Sequence, residues 1–428
     1  MVWGWVRDRM HRAETPNQVD LTKIALSVTA GVGGAVALVV AYRRQRDLER
    51  GRFAELFGAA AKQLGDADPA VRLAGVYAMA GVADEFSARA RRQQCVDVLC
   101  GYLRLPYDVR SGADHLVSRS ETSDESGIQV ARTYQVRHND REVRSAVVGV
   151  IANHLRRYSE VSWSRCAFDF TGAVFEDADF EAVEFGGRLT DFTRARFVGE
   201  RGTDFRRARF TGGHLTFRDA VFDGTSVSFE RARFDSARTT FDGGVVSAPV
   251  SFVETRFRGA RTTFIGTRFE GARTSFTDAR FDGATVSFER AVFAAGRIGF
   301  ERARFANRHI TFASARYQAS AVDFTDATLG AHRRRPRAGT GDLDFTAVEF
   351  HAPIAFTRAT FAARHATFTR ADFFGDISFD GVRFHTGETT FENPTAWVGL
   401  RFDWDDGSAS KPLCVKPDTW PPAPPTPS

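Results

Sequence analysis

The chain has 428 residues, a formal net charge of +5 at pH 7 and 40 phenylalanines. A chain of this length exceeds what one compact core usually organises, so several segments are expected. The charge is small for the length, so bulk electrostatics do not require an acidic partner. All phenylalanines except Phe53, Phe57 and Phe86 lie between residues 168 and 402, which indicates a separate architecture in the second half.

The first predicted element is a membrane-spanning helix at residues 24–42, after an N-terminal tail at residues 1–23. The run reads IALSVTAGVGGAVALVVAY, contains no charged residue and is bounded by Lys23 and by Arg43 and Arg44. A run of this length can cross a hydrocarbon core of ~30 Å as a helix, and it is longer than the apolar region of a signal peptide. A buried helix of a soluble protein is the alternative, but such helices rarely stay uncharged on every face.

Basic residues crowd the C-terminal side of this run, where Arg43, Arg44 and Arg46 lie together. By the positive-inside rule, they predict a single-pass protein of the cell membrane with its C-terminal bulk in the cytoplasm. The same three arginines are candidates for contact with anionic lipid headgroups. Small residues within the run would let two copies pack closely, so a homodimer is one of the predicted states.

Residues 43–160 predict a small helical domain in which residues 106–138 form a mobile loop. The stretch DPAVRLAGVYAMAGVAD carries an apolar stripe at helical spacing, with Asp68 as the predicted N-cap and Pro69 at the first helical position. This stretch resembles one HEAT-type helix. The four cysteines include no CxxC pair, and we predict reduced thiols.

In the second half of the chain an aromatic residue recurs at spacings that alternate between five and seven residues. Phe276, Phe281, Phe288 and Phe293 follow this alternation, and neither a helix nor an isolated strand has this period. A small residue often stands two positions before the second aromatic, as Ala279 does before Phe281. A short extended side that buries both residues and then turns a corner explains the pattern. The predicted core ladder consists of Phe205, Phe210, Phe217, Phe222, Phe229, Phe234, Phe264, Phe269, Phe276, Phe281, Phe288, Phe293, Phe300 and Phe305.

Such sides predict a mainly β fold, a parallel β-helix in which each Phe lies over a Phe of the next coil, ~4.8 Å away. The stretch FDFTGAVFEDADFEAVEF resembles the pentapeptide-repeat family, whose unit is A-(D/N)-(L/F)-x-x. The resemblance implies a right-handed quadrilateral β-helix over residues 166–404, interrupted by an excursion loop at residues 330–342. With its anchor and helical domain, the chain looks like the membrane-anchored pentapeptide-repeat proteins of actinomycetes.

Two features depart from the regular pattern. The seven-residue spacings imply coils nearer twenty-four residues than twenty, and a three-sided coil is the alternative to a four-sided one. The Pro-rich residues 405–428 predict a disordered tail. We expect the helical domain to cover one open end of the β-helix, and a bulky cluster to cap the other or to pair with a second copy. That cluster consists of Trp397, Leu400, Phe402 and Trp404.

The sequence contains no catalytic constellation, and we predict no catalytic residue, no cofactor and no metal site. An arginine directly precedes many of the second aromatics, and stacking should align some of these arginines into one or two stripes. Arg256, Arg268 and Arg280 are the candidates for anionic contact, with neutralisation by nearby acids as the alternative. The full pattern comprises Arg209, Arg233, Arg256, Arg268, Arg280, Arg304 and Arg316.

Several functions compete for this sequence. The favoured one is a membrane-anchored, non-enzymatic scaffold that binds an unidentified protein. The alternatives are a topoisomerase-binding DNA mimic, which needs a strongly acidic face, and a binder of anionic lipid or nucleic acid through the arginine stripes. Nucleic acid is disfavoured because the aromatics point inward and cannot stack on bases. An enzyme would need a pocket, which a core filled with Phe does not offer.

Overall fold

The computed structural model describes residues 18–109, 118–125, 128–135, 140–294, 296–330, 341–407 and 409–422. Contacts divide the chain into two units, residues 1–59 and residues 60–428. Most of the predicted tail at residues 1–23 and of the predicted loop at residues 330–342 lies outside the described ranges.

Helix α1 spans Gln18–Leu64 and supplies the described part of the first unit. Of the helices that the structure describes, it is the one long and apolar enough to cross a membrane. The side chains of residues 26–42 in this helix are exposed, with Leu38 73% exposed and Leu26 65% exposed, whereas Ala60 and Leu64 near its end are buried. The crossing of a membrane by residues 24–42 stays a prediction.

Three further helices begin the second unit: α2 spans Pro69–Glu85, α3 spans Arg89–Arg104 and α4 spans Asp140–Leu155. The side chain of Asp68 accepts a hydrogen bond from the backbone N–H of Ala70 at 2.8 Å, as expected of an N-cap. Proline at the start of α2 costs no helical hydrogen bond, because that N–H would have no partner in any case.

A buried ionic cluster ties these helices together. Asp140 at the start of α4 lies 3.9 Å from a guanidinium nitrogen of Arg72 in α2 and 3.8 Å from one of Arg144 in α4. The hydroxyl of Tyr102 in α3 donates to the same carboxylate at 2.5 Å. Charges this deeply buried are tolerated only when they are paired and hydrogen-bonded, so the cluster fixes how the helices pack.

The predicted mobile loop at residues 106–138 contains an antiparallel hairpin. Strand β1 spans Ser118–Glu125 and strand β2 spans Ile128–Gln135. The hydroxyls of Ser120 and Thr133 lie 3.0 Å apart across the pair. The local sequence does not predict the hairpin, because its first strand is charged and hydroxyl-rich, with no apolar alternation to signal a strand.

From residue 168 onward the chain forms a parallel β-solenoid of about ten coils. Phe281 pairs in register with Phe257 and with Phe305, so neighbouring coils are 24 residues apart (305 minus 281, and 281 minus 257). A complete coil contributes four strands, as in His214–Thr216, Val221–Phe222, Val227–Ser228 and Arg233–Phe234. The solenoid therefore has coils of the larger predicted size, and four strands per coil rather than three.

We number the four strand ladders face 1 to face 4 in chain order. Face 1 consists of Phe168–Asp169, Leu189–Asp191, His214–Thr216, Arg238–Thr240, Arg261–Thr263, Thr285–Ser287, His309–Thr311, Asp342–Asp344, His365–Thr367, Glu388–Thr390 and Val415–Lys416. Face 2 consists of Val174–Glu176, Arg196–Val198, Val221–Phe222, Val245–Val246, Arg268–Phe269, Val292–Phe293, Arg316–Tyr317 and Glu349–Phe350. Face 3 consists of Thr203–Asp204, Val227–Ser228, Val250–Ser251, Arg273–Ser275, Arg297–Gly299, Ala321–Asp323 and Ile354–Ala355. Two longer strands run from face 2 into face 3, Asp372–Ser378 and Ala396–Arg401. Face 4 consists of Glu184–Phe185, Arg209–Phe210, Arg233–Phe234, Arg256–Phe257, Arg280–Phe281, Arg304–Phe305, Thr328–Leu329, Thr360–Phe361 and Arg383–Phe384.

The core consists of four columns of stacked aromatic rings, one behind each face. In the column behind face 4, the ring of Phe281 lies 4.6 Å from the rings of Phe257 and Phe305, with interplanar angles of 3°. Val246 and Leu329 replace a ring in two columns without breaking the register. All fourteen phenylalanines of the predicted ladder are buried, at most 2% exposed. The interior of the coils is therefore filled by side chains.

Tight turns separate face 3 from face 4. The carbonyl of Phe276 accepts from the N–H of Ala279 at 3.0 Å, and Asp278 between them has a φ of 56°. This is the geometry of a type II turn, which usually places Gly at that position. Here charged side chains occupy it, Arg302 in the next coil included at φ 56°. The turn therefore projects a row of charged residues beside face 4.

The helical region covers the first coil, as predicted. The side-chain amide of Gln93 in α3 donates to the carbonyl of Ala167 and accepts from its N–H, both at 2.8 Å. It thereby imitates a paired strand at an otherwise open edge. Arg104 forms an ion pair with Asp169 on the same coil. Trp163 is fully buried just before the first strand.

The last coil is covered by the C-terminal segment, so the prediction of a disordered tail is wrong for residues 409–422. Val415 pairs in register with Thr389 on face 1. The indole of Trp420 lies edge-on to Phe402 at 5.0 Å and to Trp397 at 5.3 Å. A Pro-rich segment cannot build a core of its own, but this one packs on a core that the last coil leaves open.

Candidate functional site

Parallel pairing places the residue before each Phe of face 4 in a single row. From Glu184 the register runs through five arginines in consecutive coils and then continues with Thr328, Thr360 and Arg383. Because in-register strands repeat every ~4.8 Å, these side chains lie as close neighbours along the solenoid axis. The five consecutive arginines are Arg209, Arg233, Arg256, Arg280 and Arg304.

Four of these arginines lie within ion-pair distance of no carboxylate among the residues that the structure describes. Arg209 lies 3.8 Å from a carboxylate oxygen of Glu184. Arg233, Arg256, Arg280 and Arg304, which we call the arginine ladder, form no ion pair with any residue that the structure describes. Arg233 and Arg256 are half-buried, and Arg280 and Arg304 are exposed. Like charges directly opposite one another on neighbouring strands are destabilising, so the fold itself gains nothing from this row.

The turn residues beside the arginine ladder neutralise one another. Arg231 holds Glu254 by two hydrogen bonds of 2.9 and 3.2 Å, and Arg302 holds Asp278 at 3.0 and 2.7 Å. These hydrogen bonds lower the pKa of Glu254 and raise the pKa of Arg302. We call these turn residues, with Asp326, the rim. Its carboxylates accept hydrogen bonds from Arg231, Arg302 and Arg358 in the same row of turns, and none that the structure describes from the arginines of face 4.

The arginine ladder and the rim enclose an open groove of ≈ 640 Å³. Its lining contains six arginines and three carboxylates, and Thr328 closes one end of it. On the far side of the ladder, the residues after the Phe include Asp235, Arg258 and Asp282. In the described part of the chain, these two carboxylates form no ion pair with the ladder. The groove is therefore a cationic channel with its free positive charge in one row.

The predicted anionic contacts do not form one stripe. Arg256 and Arg280 belong to the arginine ladder, but Arg268 lies on face 2 between Val245 and Val292. Its guanidinium is held by Glu270 at 2.7 Å. In the sequence Arg268 resembles the other two, because all three precede an aromatic residue, but successive aromatics of this pattern lie on different faces.

The remaining predicted contacts, Arg43, Arg44 and Arg46, lie in α1. The guanidinium of Arg46 lies 5.9 Å from the centre of the Tyr42 ring, and these side chains are exposed. Arginine side chains of this kind suit a lipid–water boundary. Their contact with headgroups remains a prediction.

A half-buried Asp–His pair is the nearest arrangement to a catalytic group. His154 Nε2 lies 2.9 Å from Asp84, and its Nδ1 lies 2.7 Å from the carbonyl of Val150. Trp163 donates to the other oxygen of Asp84 at 2.8 Å and stacks on the imidazole at 4.0 Å. Both ring nitrogens are engaged, so neither can take a proton from a nucleophile. Among the described residues, no group of three or more His, Cys, Asp or Glu is placed to hold a metal ion.

The chain matches no protein-family model, no curated protein and no solved structure. The likeness to pentapeptide-repeat proteins therefore rests on the geometry, a parallel solenoid of stacked coils of about 24 residues with regular columns of Phe. The five-residue spacing of that family survives on alternate corners, and the longer spacing between them sets this chain apart.

Proposed function

We propose that this protein is a non-enzymatic repeat scaffold, tethered to a membrane by α1, which binds a protein partner along the side of its solenoid. The observation that carries the proposal is the arginine ladder, a row of charges that the fold does not need, on a rod whose interior is filled. A solid aromatic core offers no cavity for a small substrate. A rigid rod with a surface row of arginines that its own carboxylates do not neutralise is suited to binding a partner.

The ends of the rod support the choice of its side. Gln93 completes the edge of the first coil, and Trp420 covers the last. A β-solenoid has no lateral edges, so side-chain contacts on the faces are what it offers to a partner. A DNA mimic would need carboxylates in such rows, whereas Arg256 and its neighbours make this row positive.

The tether is tested on the full chain by carbonate extraction. We expect the protein to stay in the membrane pellet and its C-terminal bulk to be protected from protease added to intact cells. Val32→Arg together with Val36→Arg should release it, because each central arginine costs ~2.5–3.5 kcal/mol of insertion free energy. Gly33→Leu is the matched control, which should remain in the pellet. A wild-type chain found in the supernatant would refute the tether.

Binding along the side is tested by photo-crosslinking in the native cell. A benzoyl-phenylalanine replaces Ala306, which is exposed beside the arginine ladder, or Gln318, which occupies the equivalent position on face 2. We expect protein adducts from position 306 and fewer from position 318. If neither position gives an adduct, the solenoid is not a protein-binding scaffold.

A further inference from the structure

We propose that the arginine ladder binds an extended, acidic peptide segment of the partner protein. This inference rests on the proposed function and adds the chemistry of the partner. Its starting point is the missing counter-charge, since Arg233, Arg256, Arg280 and Arg304 follow one another in four coils without an ion pair among the described residues.

The rim shows what kind of group satisfies arginines at this spacing. Arg302 and Asp278 come from neighbouring coils and meet in a two-pronged pair of 3.0 and 2.7 Å. Arg231 and Glu254, from the two preceding coils, form a pair with the same two-pronged geometry. Guanidinium and carboxylate match each other in this forked arrangement. The arginine ladder offers the same forks, and the rim supplies it with no carboxylate.

The length of the row suits a short extended peptide. Three strand spacings of ~4.8 Å separate Arg233 from Arg304, a row of roughly 14 Å. An extended chain advances ~3.3 Å per residue, and its side chains alternate, so carboxylates at every second position recur every ~7 Å. Two or three of them therefore fall along the row, within reach of long arginine side chains.

The surroundings of the row disfavour the other polyanions. Glu254, Asp278 and Asp326 lie in the same groove. A duplex carries a negative charge every ~1.7 Å, so its backbone would meet these carboxylates as well as the arginines. A peptide can place an uncharged residue opposite the rim.

A membrane surface is disfavoured for a different reason. Within the described solenoid, the large apolar side chains that are well exposed are Phe374, Val398 and Leu413, and none of them lies on face 4. A surface that rests in the headgroup region usually inserts such side chains. The exposed aromatics that would stack on single-stranded bases are also missing from this face as described.

The test measures peptide binding to the full-length protein in nanodiscs of neutral lipid. The probe is a fluorescein-labelled nine-residue peptide in which Glu alternates with Ser, and its Gln version is the matched probe. The variant Arg256→Gln/Arg280→Gln removes two charges from the ladder. The control Arg268→Gln/Arg316→Gln removes two from face 2, where Glu270 and Glu349 already neutralise them. Both variants therefore have the same net charge.

We expect the Glu peptide to bind the wild-type protein. The ladder variant should weaken this binding about tenfold, because each exposed ion pair contributes a modest free energy and the variant removes two of them. The control variant should weaken it less than about twofold. Arg280→Lys, which keeps the charge and loses the fork, should give an intermediate loss. All these variants change outward side chains, and a thermal unfolding temperature no lower than that of the wild type verifies that the loss of binding does not come from unfolding.

Four results would overturn the inference: no binding of the Glu peptide, equal binding of the Gln peptide, equal losses in the two double variants, or tighter ladder-dependent binding of a thymidine oligonucleotide or of phosphatidylglycerol vesicles. Its failure is distinct from that of the scaffold. Crosslinks from position 306 that persist in the ladder variant would uphold a side-binding scaffold and refute the acidic peptide.

Discussion

Replacing Arg256 by Glu should stabilise the protein while it removes binding. In the structure Arg256 stands in register between Arg233 and Arg280, so it takes part in two like-charge contacts across neighbouring strands. Arg256→Glu turns both into opposite-charge pairs. Cross-strand pairs contribute roughly 0.2–1 kcal/mol each, and like pairs cost similar amounts. Arg256 also helps to keep the pKa of Glu254 low, and a new carboxylate would lose that support and reduce the gain.

The net expectation is a rise of about 0.5–1.5 kcal/mol in the free energy of unfolding. Urea denaturation of the full-length protein in detergent, followed by circular dichroism, measures it against Arg256→Gln, which removes the repulsion without adding attraction. The gain should shrink in 1 M NaCl, where charges are screened beyond ~3 Å. The Glu peptide should bind this variant more weakly than it binds Arg256→Gln.

Two outcomes would refute this reasoning. If Arg256→Glu lowers stability, the arginines of the row support the fold and need no partner. If the variant is more stable but the gain is the same in high salt, the effect does not come from charge. A row that costs stability and is nevertheless uninterrupted over four coils is what a binding surface predicts.

Three further predictions concern the rest of the fold. Phe281→Ala should lower the free energy of unfolding by about 3–5 kcal/mol, because the coil spacing is fixed and the cavity cannot close. Phe281→Leu should lower it by less than about 1.5 kcal/mol, because Leu329 already occupies a position in this column. Equal shifts of the urea midpoint in the two variants would contradict the stacked column. Trp420→Ala should lower the free energy of unfolding by about 2–3 kcal/mol, because its indole packs on the last coil. Leu413→Ala should change it by no more than about 0.5 kcal/mol, because that side chain is 94% exposed. Matching unfolding curves of the two variants would show that the tail does not cap the solenoid. Burial raises the pKa of Cys95 to about 12, so this residue stays a thiol at pH 8. Iodoacetamide should therefore modify the half-exposed Cys414 first, which mass spectrometry can follow. Rapid alkylation of Cys95 in the folded protein would contradict its burial.

The sequence predicts the core well because the core is repeated. A Phe follows both Phe276 and Phe281 at a distance of 24 residues, and a small residue such as Ala279 must accompany them. The same packing requirement is therefore visible in the sequence of every such coil. The spacing of aromatics does not fix the coil size or the number of sides, since it does not show which corner holds the additional residues. The pairing of Phe257 with Phe281 and of Phe281 with Phe305 shows both.

The features that the sequence did not predict depend on single, distant contacts. Trp420 lies in a Pro-rich segment with no periodic pattern. It packs against Phe402 of the last coil, and nothing in the sequence near Trp420 indicates this contact. The neutralisation of arginines is similar. Arg316 pairs with Glu349, which lies 33 residues later, whereas Arg304 meets Thr328. Both arginines follow an Ala and precede an aromatic residue, so the register of the coils decides which of them meets a carboxylate.

The longer corners that distinguish this chain from a regular five-residue repeat also leave the groove accessible. After face 4 the corner passes through Gly259 and Gly283, where an added Cβ would lie 1.9 and 2.0 Å from a carbonyl oxygen of the preceding coil. A side chain cannot be built at these two positions, whereas the short corner before face 4 projects the charged rim. Between the arginine ladder and the longer corner lie Asp235, Arg258 and Asp282, which alternate in charge from coil to coil. A peptide that approaches from this side meets a row of mixed charge and then the arginine ladder, without passing the three carboxylates of the rim.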